Sequence, residues 1–361
     1  VIFANIAGVN ATPRGTTTAH EPQRHVSGST HVPTGASHRG RVALAAAVIA
    51  WMASGIAVGQ ASAAGAAGPR VDRAIAKRLG DSPSGRQHRI LVRPKRDRRG
   101  RLALALGRSG HRVKNHGALD LLHVEVDDAS LRSLLRNADV EALSLDALCV
   151  AASDDLGSSS DGSGEPDDWR VTAGITGDTP AGTPGGHYGA VLKPTLGLLP
   201  NGGTVDGGSW NGQRIVVAVV DSGIQPSDDL TADRIVAFRD FTRGGIATAP
   251  YDDFGHGTHV AGLIGGSGAM SSDQFEGIAP AVSYVGLKVL DEDGAGYTSD
   301  VIAALEWVLL HRFQYGIRVV NLSLGHPAYE PPSTDPLVQM VERLVMAGIV
   351  VVASAGNNGT N

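Results

Sequence analysis

The sequence predicts an α/β fold, a doubly wound parallel sheet incomplete at its C-terminal end and preceded by a small α+β unit. Three observations lead there. Nearly continuous apolar runs recur at 214–220, 283–289 and 348–354, and such runs mark parallel strands buried on both faces. Stretches of helical length separate them, as the crossovers of a parallel sheet require. The 48 glycines fit a chain with many turns at strand ends, together with some linker.

Length and composition set the outer bounds. With 361 residues the chain has room for two or three domains, and 42% hydrophobic content suits a globular core. Cys149 is the only cysteine, so no intrachain disulfide forms and stability rests on packing or bound ions. The net charge of −5 hides an asymmetry: residues 1–150 hold 21 Lys and Arg against 11 Asp and Glu, whereas the remainder is acidic. Either the basic half meets nucleic acid or it complements the acidic half that it covers. No nucleic-acid motif accompanies the charge, which favours the second reading and no nucleic-acid partner.

Taken in order, residues 1–40 lack periodicity and read as disordered or as lying upstream of the true start. Arg39 and Arg41 then precede a 17-residue apolar run, Val42–Val58, followed by Ala61-Ser62-Ala63. Basic, apolar, then small residues make residues 41–63 a secretory signal peptide and the product a secreted protein without stable membrane association. An uncleaved anchor through residues 42–58 is the alternative, at the short limit for a span. Residues 64–87 read as a connector. Within 88–150, strands are expected at Arg89–Val92, Leu121–Val126 and Val140–Leu145, with a helix over Ala129–Asn137 and a solvated basic loop over Arg93–Arg101. Residues 151–187, rich in Gly, Ser and Thr, form a linker.

From residue 188 a larger domain begins. Strands are expected at 214–220, Ile235–Phe241, Ser283–Val289, Val319–Leu322 and 348–354. Helices are expected from His256 to about Gly265, from Thr298, acting as N-cap, to about Tyr315, and over Pro336–Ala347.

The chemistry gathers at the ends of these elements. The first apolar run ends in Asp221-Ser222-Gly223, at the carboxyl edge of the sheet where open α/β folds bind ligands. Gly255-His256-Gly257-Thr258-His259-Val260-Ala261-Gly262 sets an imidazole between two glycines at a helix start, accessible and with a pKa near neutrality. The last run ends in Ala355-Gly356-Asn357, whose amide is a candidate oxyanion donor. His256 and His259 are spaced so that they could share a metal ion, but no HExxH glutamate accompanies them.

These three blocks, in this order, resemble the subtilisin-like serine proteases, or subtilases, over roughly residues 185–361. The resemblance implies a three-layer fold and a serine endopeptidase of broad specificity acting on polypeptides. Asp221 would orient His256, His256 would act as base, and Asn357 would stabilise the oxyanion. It implies further that Gly294-Ala295-Gly296 and Ser323-Leu324-Gly325 flank an extended substrate, with Ala355 and Gly356 opposite the second segment across an apolar specificity pocket. Residues 88–150 would be an inhibitory pro-domain, the protein's own intramolecular partner, whose tail fills the cleft, with processing near the start of the linker. Structural calcium is compatible with the family, and no cofactor is needed for the chemistry. One departure is expected to matter: the Gly-Thr-Ser-Met-Ala-like turn that carries the nucleophile in the family does not occur before Asn361, so the chain reads as truncated and inactive as given. A catalytically dead binding or scaffold relative, and a non-proteolytic ligand-binding domain, are the alternatives.

Overall fold

The computed structural model describes residues 68–80, 85–152, 211–273 and 275–356. The signal-peptide segment 41–63, most of the 151–187 linker, residues 188–210 and Asn357 lie outside the described residues.

The N-terminal part folds as β1 (Arg70–Val71), α1 (Arg73–Gly80), β2 (Gln87–Pro94), α2 (Arg99–Arg108), β3 (Val113–His116), β4 (Leu121–Asp127), α3 (Asp128–Leu134) and β5 (Val140–Leu145). Its five-stranded sheet runs β1-β5-β2-β4-β3, with β2 antiparallel to both neighbours. The period-2 alternation of strands sorts the side chains onto two faces. Ile90, Val92, Leu122, Val124 and Val126 pack with Ile75, Leu102, Leu106 and Leu131 from the three helices. Leu91 and Leu121 point the other way, into the core of the larger domain.

Two expectations are corrected here. The connector 64–87 contains α1, and the basic loop at Arg93–Arg101 gives way to α2 from Arg99. Both helices carry only one or two buried apolar residues among many charges, Ile75 in one and Leu102 and Leu106 in the other. Such helices owe their existence to tertiary packing rather than to a strong local pattern. The helix expected to reach Asn137 stops at Leu134, its start capped by Asp127, whose carboxylate accepts from Ser130 N at 2.7 Å.

After β6 (Leu148–Ala151), the larger domain contributes β7 (Val216–Asp221), β8 (Ile235–Asp240), β9 (Ile246–Ala247), α4 (His256–Gly265), β10 (Ser283–Lys288), β11 (Ala295–Tyr297), α5 (Thr298–Tyr315), β12 (Ile317–Leu322), β13 (Leu324–Gly325), α6 (Pro336–Met346) and β14 (Val350–Ala353). The main sheet is ordered β14-β12-β7-β10-β8-β9, parallel throughout except for the short edge strand β9. Ala218 and Val220 of β7 face α5 and α6, while Val217 and Val219 face α4, which accounts for the unbroken apolar run. Fully burying each of these valines contributes about 1.5–3 kcal/mol.

Helix ends follow local rules in α6, where Asp335 caps Leu337 N and Val338 N and Pro336 opens the first turn. The cap of α5 differs from expectation. Thr298 is already helical and its hydroxyl donates to Ala147 O at 3.0 Å, while Ser299 N donates to Asp146 Oδ1 at 2.7 Å. The cap is thus supplied by the N-terminal part. Among the described residues no helix is long and apolar enough to cross a membrane.

Candidate active site

Asp221 ends β7 and His256 opens α4, and the fold brings them together. His256 Nδ1 lies 2.7 Å from Asp221 Oδ1, with the aspartate fully buried and the imidazole 15% exposed. Because Asp221 occupies Nδ1, Nε2 is the nitrogen left to exchange a proton. The hydrogen bond to Asp221 raises the His256 pKa above its ordinary value, against the opposing effect of burial, and the charges of Asp221 and Asp252 add to the rise.

The surrounding loop explains why the imidazole stays there. Asp252 Oδ1 accepts from Gly255 N at 2.8 Å and Phe254 N at 3.2 Å, and its Oδ2 accepts from Thr258 N at 2.8 Å and Thr258 Oγ1 at 2.6 Å. Burial pushes the Asp252 carboxyl up, but these donors outweigh it and hold the pKa below the usual value. Gly255, at φ 97°, makes the left-handed turn into α4. Gly257 lets the helix seat on the acid strand, since a Cβ there would lie 2.2 Å from Gly223 O. Gly257 N donates to Ser222 Oγ at 2.9 Å, and Ser222 N donates to Asp221 Oδ1 at 2.8 Å, locking helix start to strand end.

Both expected substrate edges are strands, and a segment of this same chain lies between them. A three-stranded sheet, β11-β6-β13, is antiparallel on both sides of β6. Ala151 N donates to Gly294 O at 3.0 Å, Ala295, Gly296 and Tyr297 pair with Val150, Cys149 and Leu148, and Leu324 and Gly325 pair with Ala151 and Val150. Ala152 N donates to Ser323 O at 2.9 Å. The sequence expectation placed these residues at the boundary between domain and linker. Cys149 and Ala151 are buried between these two strands, and burial pushes the Cys149 thiol up to about 12, so it is inert as a nucleophile near neutral pH. Ala355 and Gly356 follow β14 as exposed residues. Of the three expected catalytic residues, Asp221 and His256 form a pair, and Asn357 lies outside the described residues.

Sequence reasoning missed Asp146, which anchors β6. Its buried carboxylate takes Ser299 N and Ser299 Oγ, and is paired with Arg89 Nε at 3.0 Å and His123 Nε2 at 3.1 Å. Arg89 also stacks over Tyr297, 3.7 Å from the ring centre. Lys114 to Asp300 and His116 to Glu306 extend a seam that is basic on the N-terminal side and acidic on α5. No sequence signal marks the pairs that cross this seam, because their members are more than a hundred residues apart. Among the described residues no three His, Cys, Asp or Glu side chains converge as metal ligands.

Residues 212–361 match the family model described as "Subtilase family". Serine protease AprX of Bacillus subtilis (strain 168) is 43% identical over 159 residues, 43% of this chain and 35% of that protein. Subtilisin DY of Bacillus licheniformis is 35% identical over 152 residues, 42% of this chain and 50% of its own length. Subtilisin E of Bacillus subtilis (strain 168) is 37% identical over 159 residues, covering 42% and 36%. The chain therefore spans from 35% to 50% of the length of these curated relatives. Among solved structures, sphericase aligns at 30% identity over 42% of this chain and 48% of its own, with a TM-score of 0.36.

Proposed function

Residues 212–361 belong to the subtilase family, and from that premise we propose that the larger domain hydrolyses peptide bonds as a serine endopeptidase, with Asp221 and His256 as its acid and base. The observation that carries the reading is the 2.7 Å contact between a fully buried Asp221 and Nδ1 of a partly exposed His256. A serine hydroxyl attacks the peptide carbonyl carbon while its proton passes to His256 Nε2. The C–N bond then breaks as the same proton moves to the leaving amine. Water, deprotonated by His256, attacks the resulting ester and frees the serine. Asp221 fixes the imidazole tautomer and stabilises the imidazolium throughout. Asn357 is assigned to the developing oxyanion; the corresponding donor in subtilisin is worth about 2.7–4 kcal/mol of barrier.

The nucleophile is assigned to a serine in a turn C-terminal to Asn357, and residues 1–361 by themselves to an inactive form. Sequencing the coding region past the Asn361 codon tests this. A Gly-Thr-Ser turn there, whose product labels with a fluorophosphonate and loses both labelling and peptidase activity on His256→Ala, is the expected result. An in-frame serine turn whose His256→Ala variant still cleaves peptides would overturn the assignment of the base. A stop codon with no such turn would instead favour the second reading, a non-catalytic relative that binds peptides in the cleft.

The N-terminal α+β unit is proposed as an inhibitory pro-domain, with β6 as the strand that holds the cleft. Ala152, whose N–H donates to Ser323 O, ends the paired segment, and Ala152–Ser153 is proposed as the processed bond. N-terminal sequencing of the mature enzyme is expected to begin at Ser153, and a mature terminus before Ala152 would refute the assignment. Export through residues 41–63, with removal after Ala63, completes the proposal. One relative carries the name minor extracellular protease Epr, which accords with it.

A further inference from the structure

Lys288 is a buried cation that the chemistry above does not use. It is 1% exposed, at the last position of β10, and in register with Asp221 on one neighbouring strand and Asp240 on the other. A buried ammonium is costly unless its charge and its N–H bonds are all matched. Lys288 meets this fully: Nζ donates to Ser222 O at 2.8 Å, to Leu290 O at 2.6 Å and to the Asp253 carboxylate, three acceptors for three N–H bonds.

Each acceptor belongs to a different working segment. Ser222 follows Asp221, and its own N–H and hydroxyl hold the Asp221 carboxylate and the first turn of α4. Asp253 sits in the loop that delivers His256, beside the Asp252 that pins that loop from within. Leu290 leaves β10 toward the substrate edge at Gly294–Gly296, and Val289 N and Leu290 N both donate to Asp221 O. One side chain thus ties together the acid strand, the base loop and the substrate edge.

We propose that Lys288 is a positioning residue for the Asp221–His256 pair, acting through Ser222 and Asp253 without touching substrate. The assignment rests on the reading of that pair as acid and base. Its position in a buried strand gives it no access to solvent or ligand, so its effect passes through the segments that it clamps.

The test reads His256 in the full 361-residue chain by nuclear magnetic resonance, following the imidazole titration and the low-field Nδ1–H signal in Lys288→Met. Two effects oppose each other. Removing a nearby cation raises the histidine midpoint by electrostatics alone, whereas loosening the contact with Asp221 lowers it. The expected result is a midpoint lower by about 0.5 or more in pH, with the Nδ1–H signal broadened or lost. A midpoint unchanged or raised, with the signal intact, overturns the proposal and leaves Lys288 a purely structural residue. Should that variant not fold, Asp253→Ala releases only the loop arm at a carboxylate that is 33% exposed. The Nδ1 proton is then expected to exchange with solvent at least about tenfold faster, and exchange at the parent rate overturns the proposal. Neither readout needs a nucleophile. Absent proteolysis would therefore count against the proposed activity and not against Lys288, and an undisturbed His256 in both variants would do the reverse.

Discussion

At the scale of single residues, the site depends on one hydrogen bond between unlike environments. Asp221 is sealed from water and His256 is not, so the pair can hold an imidazole in place while leaving Nε2 outside that bond. The bond to Asp221 is the largest cause of the raised His256 pKa, and burial works against it. In Asp221→Asn the carboxylate is lost and burial remains. The His256 midpoint is therefore expected to fall to the ordinary value of about 6.5 or below. Titration of the imidazole carbon protons reads this directly, and an unmoved midpoint would contradict the assigned cause. The same sign governs stability: folded His256 binds its proton more tightly than a free imidazole. The pair therefore adds stability below about pH 6.5, and this contribution fades as pH rises through the raised midpoint. A base must be neutral to accept a proton, so the proposed peptidase activity is expected to rise over that same interval.

At the scale of elements, α4 is placed by how closely its first turn meets β7. A Cβ on Gly257 would fall 2.2 Å from Gly223 O and 3.0 Å from Asp221 Cβ, so one of these backbones must move. Gly257→Ala is expected to destabilise the domain by about 1–3 kcal/mol, as overpacking does. At Gly262 on the same helix an added Cβ would meet nothing within 4 Å, and Gly262→Ala is expected to be neutral or stabilising by up to about 1 kcal/mol. Denaturant unfolding of the two variants separates contact from helix propensity, and equal midpoints would refute the steric account. Elements of this domain were legible in the sequence because both faces of the sheet are buried, which writes an apolar run into each strand. Asp221 and His256 were legible because their motifs are local. Helix α2 was not, because Leu102 and Leu106 are its only buried residues among arginines. Strand β6 was not, because its partners lie about 150 residues downstream and it follows β5 with no turn signal. Lys288 was invisible for a related reason: two of its three acceptors are backbone carbonyls, which any sequence supplies.

At the scale of the whole described fold, the N-terminal unit and the larger domain share one core. Leu91, Leu119 and Leu121 pack in the same cluster as Leu305, Val308 and Met340, so docking buries apolar surface that separation would expose. The polar seam sets the register of that docking, and Asp146 is its centre. Its carboxylate caps the N-terminal turn of α5, which carries the expected substrate edge β11 immediately before it. In Asp146→Ala the Ser299 N–H, Arg89 and His123 all lose this partner, so the cap and the anchor of β6 fail together. Hydrogen exchange on the intact chain is expected to quicken at Ser299 and at Ala151 and Ala152, whose amides bond across the cleft, while the amides of β10 stay protected. Unchanged protection at these three positions would show that the apolar contact alone holds β6. The pH dependence has a definite sign. Burial raises the Asp146 carboxyl, but His123, Arg89 and Ser299 outweigh it and hold the pKa below the ordinary 3.8. A carboxyl depressed on folding contributes stability above its ordinary value and loses it as pH falls through the depressed one. This contribution is thus expected to hold above pH 3.8 and to fade below it, with exchange at Ala151 and Ala152 rising there. In Asp146→Ala that acid step is expected to disappear, because the exchange is already fast at neutral pH.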